Sequence, residues 1–233
     1  PEVILITDIP AAQSQSVLSG ISQLTEGLNS YFGIEDVATL GPGKPVVAVF
    51  LDRQLFGKFE IDVIQSNEFG EKQAIVHDFR NRTIIVVQDG RSLKNLSWHT
   101  AWGLAGLYVR YAHSNLEPPY WLGLGVQYTA ADILVPGISN ARADLANTRM
   151  LLMTQGSLGG ALEADDIPTE RQVICKSLVS YLQTASPAGF VQFFEQLKLG
   201  LSLDEALSRT YGKETTEVIS RFGQTIGMSG LQP

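Results

Sequence analysis

The chain contains one cysteine, Cys175, among 233 residues. It can therefore form no internal disulfide, a state compatible with any redox compartment. Histidine is almost as scarce, with His77, His99 and His113 the full set. Lys and Arg number 17 against 24 Asp and Glu, giving a net charge of −7, and the cations are scattered singly. Nucleic-acid binding depends on a basic face that displaces counterions, so the charge pattern excludes it. No apolar run reaches the roughly 18–20 residues of a membrane span, so none is expected in this chain. The opening PEVILITD has neither Met nor a signal peptide, which decides nothing about targeting. No G-x-S-x-G occurs, and the GMSG near the C-terminus lacks the spacing of a nucleophile elbow.

What is present suits a folded protein with a sizeable core: hydrophobic residues make up 44% and charged residues 18%. A chain of this size buries roughly 70% of its unfolded surface and needs no disulfide staples. Residues 1–91 read mostly as strands. VILITDI, PVVAVFLD, FEIDVIQS, QAIVHDF and RTIIVVQ are short, rich in Val and Ile, and separated by turn residues. One helix interrupts them from about Ala11 to Tyr31, with Val17, Ile21, Leu24 and Leu28 at helical spacing. GPGKP, from Gly41 to Pro45, lacks a Ser or Thr after its Lys and leads into a strand, so it reads as a loop and not a phosphate cradle.

From residue 92 the pattern is helical. Ser92 suits the N-cap of a Leu93–His113 helix, and EPPYW opens the next with Pro near its first turn. Thr169 with Gln172 and Ser202 with Glu205 have capping-box spacing, and Ser186 before Pro187 reads as N-cap and N1. Gly200 and Gly212 fall where helices should stop. These features predict one α+β domain over residues 1–233. Its N-terminal lobe, 1–91, carries a mixed or antiparallel sheet with one helix, and a helical lobe follows over 92–233.

The stretch NLSWHTAWGLAGLYVRYAHSNLEPPYWLGLGVQYTA, residues 95–130, has the form of a metallopeptidase core: an apolar helix carrying a His, a Pro-containing turn and a helix opening on Trp. A zinc peptidase of the HExxH type needs two His four residues apart, a Glu beside the first as general base, and a third ligand from a neighbouring helix. At these residues the chain resembles the gluzincin zinc metallopeptidases, specifically the bacterial peptidase-MA-like group. That group follows its HExxH helix with a helix beginning P-x-W-[LV]-x-E-G-x-A-x-Y, whose Glu is the third ligand. PPYWLGLGVQY keeps Trp121, Leu122, Gly125 and Tyr128 of this second motif, but Leu124 stands where the ligand Glu belongs. In the first motif only His99 is kept; Thr100 replaces the general base and Gly103 the second ligand. Shifted by one residue, Trp98 and Trp102 occupy the ligand positions and His99 that of the base. Neither frame leaves a metal site, and no cofactor is expected. The resemblance extends to the strand–helix opening and to the tail phrase G-x-S-x-D-E-A-L…YG.

The resemblance implies a zincin-like fold, a peptidase-MA-like domain over 1–233, and export to the periplasm or cell surface. It also implies vestigial active-site positions at His99, Thr100, Gly103 and Leu124. Active relatives hold a peptide beside an exposed sheet edge, a mode that needs only backbone hydrogen bonds and side-chain pockets and can outlive the metal. The expected function is thus an inactive metallopeptidase homologue with a peptide- or protein-binding or structural role. Trp98, Trp102, Trp121 and Tyr128 are candidate groove residues, although aromatics at helical spacing more often belong to a core. The alternative is a hydrolase acting through a non-zinc or unrecognised site. Of the remaining candidates, His77 alternates with Ile75 and Phe79 and reads as a satisfied sheet histidine. His113 and Glu117 read as part of a solvated turn. Cys175, with Leu178, Val179 and Leu182 nearby, reads as a buried structural thiol. Asn81 and Asn95 match the glycosylation pattern, a match that chance often supplies.

Overall fold

The computed structural model describes residues 3–34, 41, 43–67, 70, 72–79, 82–158 and 160–233. Asn81 and part of the GPGKP loop fall outside them. The chain is mixed α and β and divides into two compact units, Pro1–Tyr111 with Ala130–Ile138, and Ala112–Thr129 with Ser139–Pro233. Among the described residues no helix is long and apolar enough to cross a membrane.

The first unit contains β1 (Ile4–Thr7), α1 (Ala11–Phe32), β2 (Val46–Phe50), α2 (Arg53–Phe59), β3 (Ala74–Phe79), β4 (Arg82–Gln88) and α3 (Leu93–Tyr111). The strands form one mixed sheet in the order β1-β2-β4-β3; β1, β2 and β4 are parallel and β3 is antiparallel. Alternate side chains of the central strands serve two cores, which is why these strands read as unbroken apolar runs. Val46, Ala48, Phe50, Ile84 and Val86 pack with Phe56 of α2 and with Ile64 and Ile75. On the opposite face Ile85 lies under α3, so close that a Cβ on Gly103 would come 2.4 Å from its Cγ2. α1 meets α3 where Phe32 stacks on Tyr108, whose hydroxyl donates to Thr25 O at 3.2 Å. As expected, Ser92 caps α3: its Oγ accepts from Asn95 N at 3.1 Å.

One expected strand is a helix. FEIDVIQS was expected to be extended; residues 53–59 instead form α2, and a π-turn follows over Glu60–Ile64. Asp52 starts α2 by accepting from the amides of Gln54 and Leu55. The alternation of Phe59, Ile61 and Val63 imitates a strand, but Ile61 and Val63 are exposed while Phe56, Glu60 and Ile64 are buried at four-residue spacing. Glu60 can point inward because His77 of β3 meets its two carboxylate oxygens at 3.1 and 3.0 Å. Among the described residues the N-terminal region therefore has α2 as well as the expected α1.

Helix α4 (Tyr120–Leu134) runs from one unit into the other. The second unit adds α5 (Ala141–Met153), α6 (Gln172–Ala185), α7 (Pro187–Lys198), α8 (Leu203–Tyr211) and α9 (Thr215–Thr225). Ser186 caps α7 with Pro187 at N1, and Ser202 and Glu205 form a reciprocal capping box on α8. Gly200 and Gly212 adopt the left-handed backbone expected past helix ends. The box expected at Thr169 does not form. Residues Thr169–Arg171 make a 3-10 turn, and the Gln172 side chain accepts from Tyr128 OH instead of reaching back to an N-cap. His113 is also not the solvated turn residue expected. Its side chain is 14% exposed, its ring lies edge-on to Phe194, and its Nδ1 is 4.0 Å from Glu195 Oε1.

Candidate functional site

The sheet and α3 bring together a group that the sequence reading found only in part. β4 ends at Gln88, Asp89 follows, and α3 begins four residues later, so Asp89 and Arg91 lie in the short link at the C-terminal end of a parallel strand. That end of an open sheet commonly carries functional groups, because successive strand–helix turns converge there. Asp89 is buried, with a side chain 1% exposed. Arg91 donates to it from its backbone N at 2.8 Å, from Nε at 3.0 Å and from Nη2 at 2.6 Å. His99, one turn beyond the N-terminal turn of α3, brings Nε2 to 3.3 Å from Asp89 Oδ2. Burial raises the Asp89 carboxyl, but the hydrogen bonds and charge of Arg91, with His99, outweigh it and hold Asp89 below its ordinary range. Burial lowers His99, opposed by the charge of Asp89, and the net shift is downward. The downward shift favours the neutral imidazole, whose Nε2 faces the Asp89 carboxylate and also lies 3.5 Å from Arg91 Nη2.

The expected positions on α3 neighbour His99 along the helix. Thr100 is buried and its hydroxyl donates to Leu96 O at 2.8 Å, one turn back. Gly103 faces Ile85 as described. Trp98 is buried, lies edge-on to His99, and donates from Nε1 to Asp132 in the last turns of α4 at 2.8 Å. Trp102 is half-buried. The other expected positions belong to the second unit. Leu124 and Trp121 are buried there; Trp121 packs among Leu178, Leu182, Leu207 and Ile219, and its indole N–H has no hydrogen-bond partner among the described residues. Tyr128 is half-buried, and its hydroxyl donates to Gln172 Oε1 at 2.7 Å. Cys175 is buried as expected, and burial pushes its thiol up to about 12. Such a thiol is a poor nucleophile at neutral pH.

A second feature adjoins the pair. β3 forms one edge of the sheet. Gln88 N donates to Gln73 O at 2.8 Å, and the register pairs Ala74 with Val87 and Val76 with Ile85. By the alternation of an antiparallel ladder, Gln73, Ile75 and His77 bond toward β4. The main-chain groups of Ala74, Val76 and Asp78 therefore point away from it, along the edge. Val76 shares its sheet face with Ile85, the residue under α3, so this edge runs beside the helix that carries His99.

Among the described residues no three His, Cys, Asp or Glu side chains converge on a possible metal position. The Asp89–His99 pair supplies two candidate ligands, and the Arg91 guanidinium beside them disfavours a cation. Asp89 and Arg91 were absent from the sequence reading. The available signal was QDGRS, an acid and a base in a strand-to-helix turn ahead of an N-cap. Comparison with family models, with curated proteins and with solved structures finds no match.

Proposed function

We propose that this chain is a catalytically inactive homologue of the gluzincin zinc metallopeptidases, with a zincin-like scaffold that holds an extended peptide or protein segment. The observation that carries the reading is Gly103. A His ligand there would start from a Cβ 2.4 Å from Ile85 Cγ2, in a side chain that is itself fully buried. A packed interior cannot admit an imidazole at such a point without displacing the buried Ile85 side chain. Thr100, at the general-base position, is tied to the backbone of its own helix. The binding role is supported by β3, an edge strand whose outward main-chain groups run beside α3 and can extend the sheet by one strand.

The test combines elemental analysis with peptide binding. Protein incubated with zinc and desalted is expected to carry no stoichiometric metal, and to bind extended peptides without cutting them. Val76→Pro removes one outward N–H and leaves the ladder with β4 intact, so it is expected to weaken peptide binding roughly five- to tenfold. Stoichiometric zinc near His99, chelator-sensitive cleavage, or a failure to bind any extended peptide defeats the proposal.

A second reading, hydrolysis through a non-zinc site, draws on the Asp89–His99 pair. A neutral imidazole oriented by a buried carboxylate is the geometry of a general base. That reading stands only if a hydrolytic activity is found that His99→Gln abolishes.

A further inference from the structure

The start of the β3 edge is cationic. At its start, Arg91 Nη2 donates to Gln73 Oε1 at 3.0 Å, and Arg53 Nη1 donates to Lys72 O at 2.7 Å and Gln88 Oε1 at 3.2 Å. Three cationic residues thus gather where β3 begins; their sequence neighbour Glu71 lies outside the described residues. At the far end Asp78, half of its side chain exposed, is neutralised by Arg110 of α3, and the exposed Arg82 lies opposite Phe79.

Arg91 is poised to accept an anion from outside. Its Nε and Nη2 are engaged with Asp89 and Gln73, while Nη1 has no hydrogen-bond partner among the described residues. The side chain is 61% exposed although the carboxylate that anchors it is buried. It also precedes the N-terminus of a 19-residue helix whose first turn holds no acid and includes Lys94. The helix dipole adds positive potential at the same place. Asp89 therefore fixes the guanidinium in position without occupying Nη1.

From this arrangement we infer that the cationic end of β3 reads the free C-terminal carboxylate of an extended peptide, which lies antiparallel to β3 and ends at Arg91. The inference rests on the edge-strand reading above and names its partner class. Ala74, Val76 and Asp78 supply the main-chain bonds, and Arg91 Nη1 supplies a charge-assisted one. In the reverse orientation a peptide would set its ammonium against Arg91 and leave Nη1 without an acceptor.

The probe is a fluorescein-labelled Thr-Val-Thr-Val-Thr-Val peptide, as the free acid and as the C-terminal amide, titrated with the intact protein and followed by anisotropy. The acid is expected to bind about fivefold more tightly, the scale of one partly exposed ion pair. The gap should close as salt rises from about 0.05 to about 0.5 M, and in Arg91→Gln acid and amide should bind alike. The salt series needs no variant, so it decides the matter even if Arg91→Gln misfolds. Equal binding of acid and amide to the unaltered protein, with both weakened by Val76→Pro, overturns the carboxylate reading and leaves the edge-strand reading standing. Tighter binding of the amide also overturns it. Failure of both peptides to bind overturns the two together.

Discussion

Glu60 has no exposed surface, and its carboxylate meets His77 Nε2 through both oxygens. It lies beside the apolar cluster formed by Phe56, Ile64, Ile75 and Ile84. A buried acid in such surroundings is tolerable only while its partner is present. His77→Ala is therefore expected to cost about 3–5 kcal/mol, because it leaves a carboxyl group stranded among apolar side chains. Replacing both residues, as Glu60→Leu with His77→Leu, should recover most of that loss. Urea denaturation of the two variants beside the parent checks this. A double variant no more stable than His77→Ala alone would show that the pair does not act as a unit.

Helices α3 and α4 each use a glycine to approach a neighbour. A Cβ on Gly103 would meet Ile85, and one on Gly125 would lie 2.6 Å from the carbonyl oxygen of Cys175 in α6. Gly20 of α1 has nothing within 4 Å of the corresponding point. Alanine should thus act in opposite directions. Gly20→Ala is expected to stabilise by about 0.5–1 kcal/mol through helix propensity. Gly125→Ala and Gly103→Ala are expected to destabilise by about 1–3 kcal/mol through overpacking. Thermal melts of the three variants test the sign at each site. Elements with local signals were legible in the sequence: Ser92, Ser186–Pro187 and Ser202–Glu205 each mark a helix start where the structure has one. α2 was not legible, because the inward turn of Glu60 depends on His77 in another strand, which no local window contains. The site divided in the same way. His99 stands out as the one histidine of an almost wholly apolar helix, whereas Asp89 and Arg91 matter only once β4 and α3 pack together.

At the scale of the whole chain, the single thiol reports on one unit alone. Cys175 belongs to the second unit, is buried, and has a thiol raised to about 12. Reaction with a soluble disulfide reagent at mildly alkaline pH should therefore be slow in the folded protein and should accelerate only as this unit opens. Labelling measured across a urea series, set beside the fall in far-ultraviolet circular dichroism, would show whether the units melt together. Fast labelling without denaturant would contradict the burial of Cys175. The units are also interleaved along the chain: residues 130–138 return to the first after 112–129 have served the second. Trp98 shows what this return supplies, since the carboxylate that its indole donates to is Asp132, on the later segment. No single cut in the gene can yield both units whole. A fragment ending at residue 111 would lose the acceptor for a buried indole, and one starting at 112 would carry a segment that belongs to its neighbour. A single crossover therefore cannot exchange one of these units between proteins while leaving the other whole.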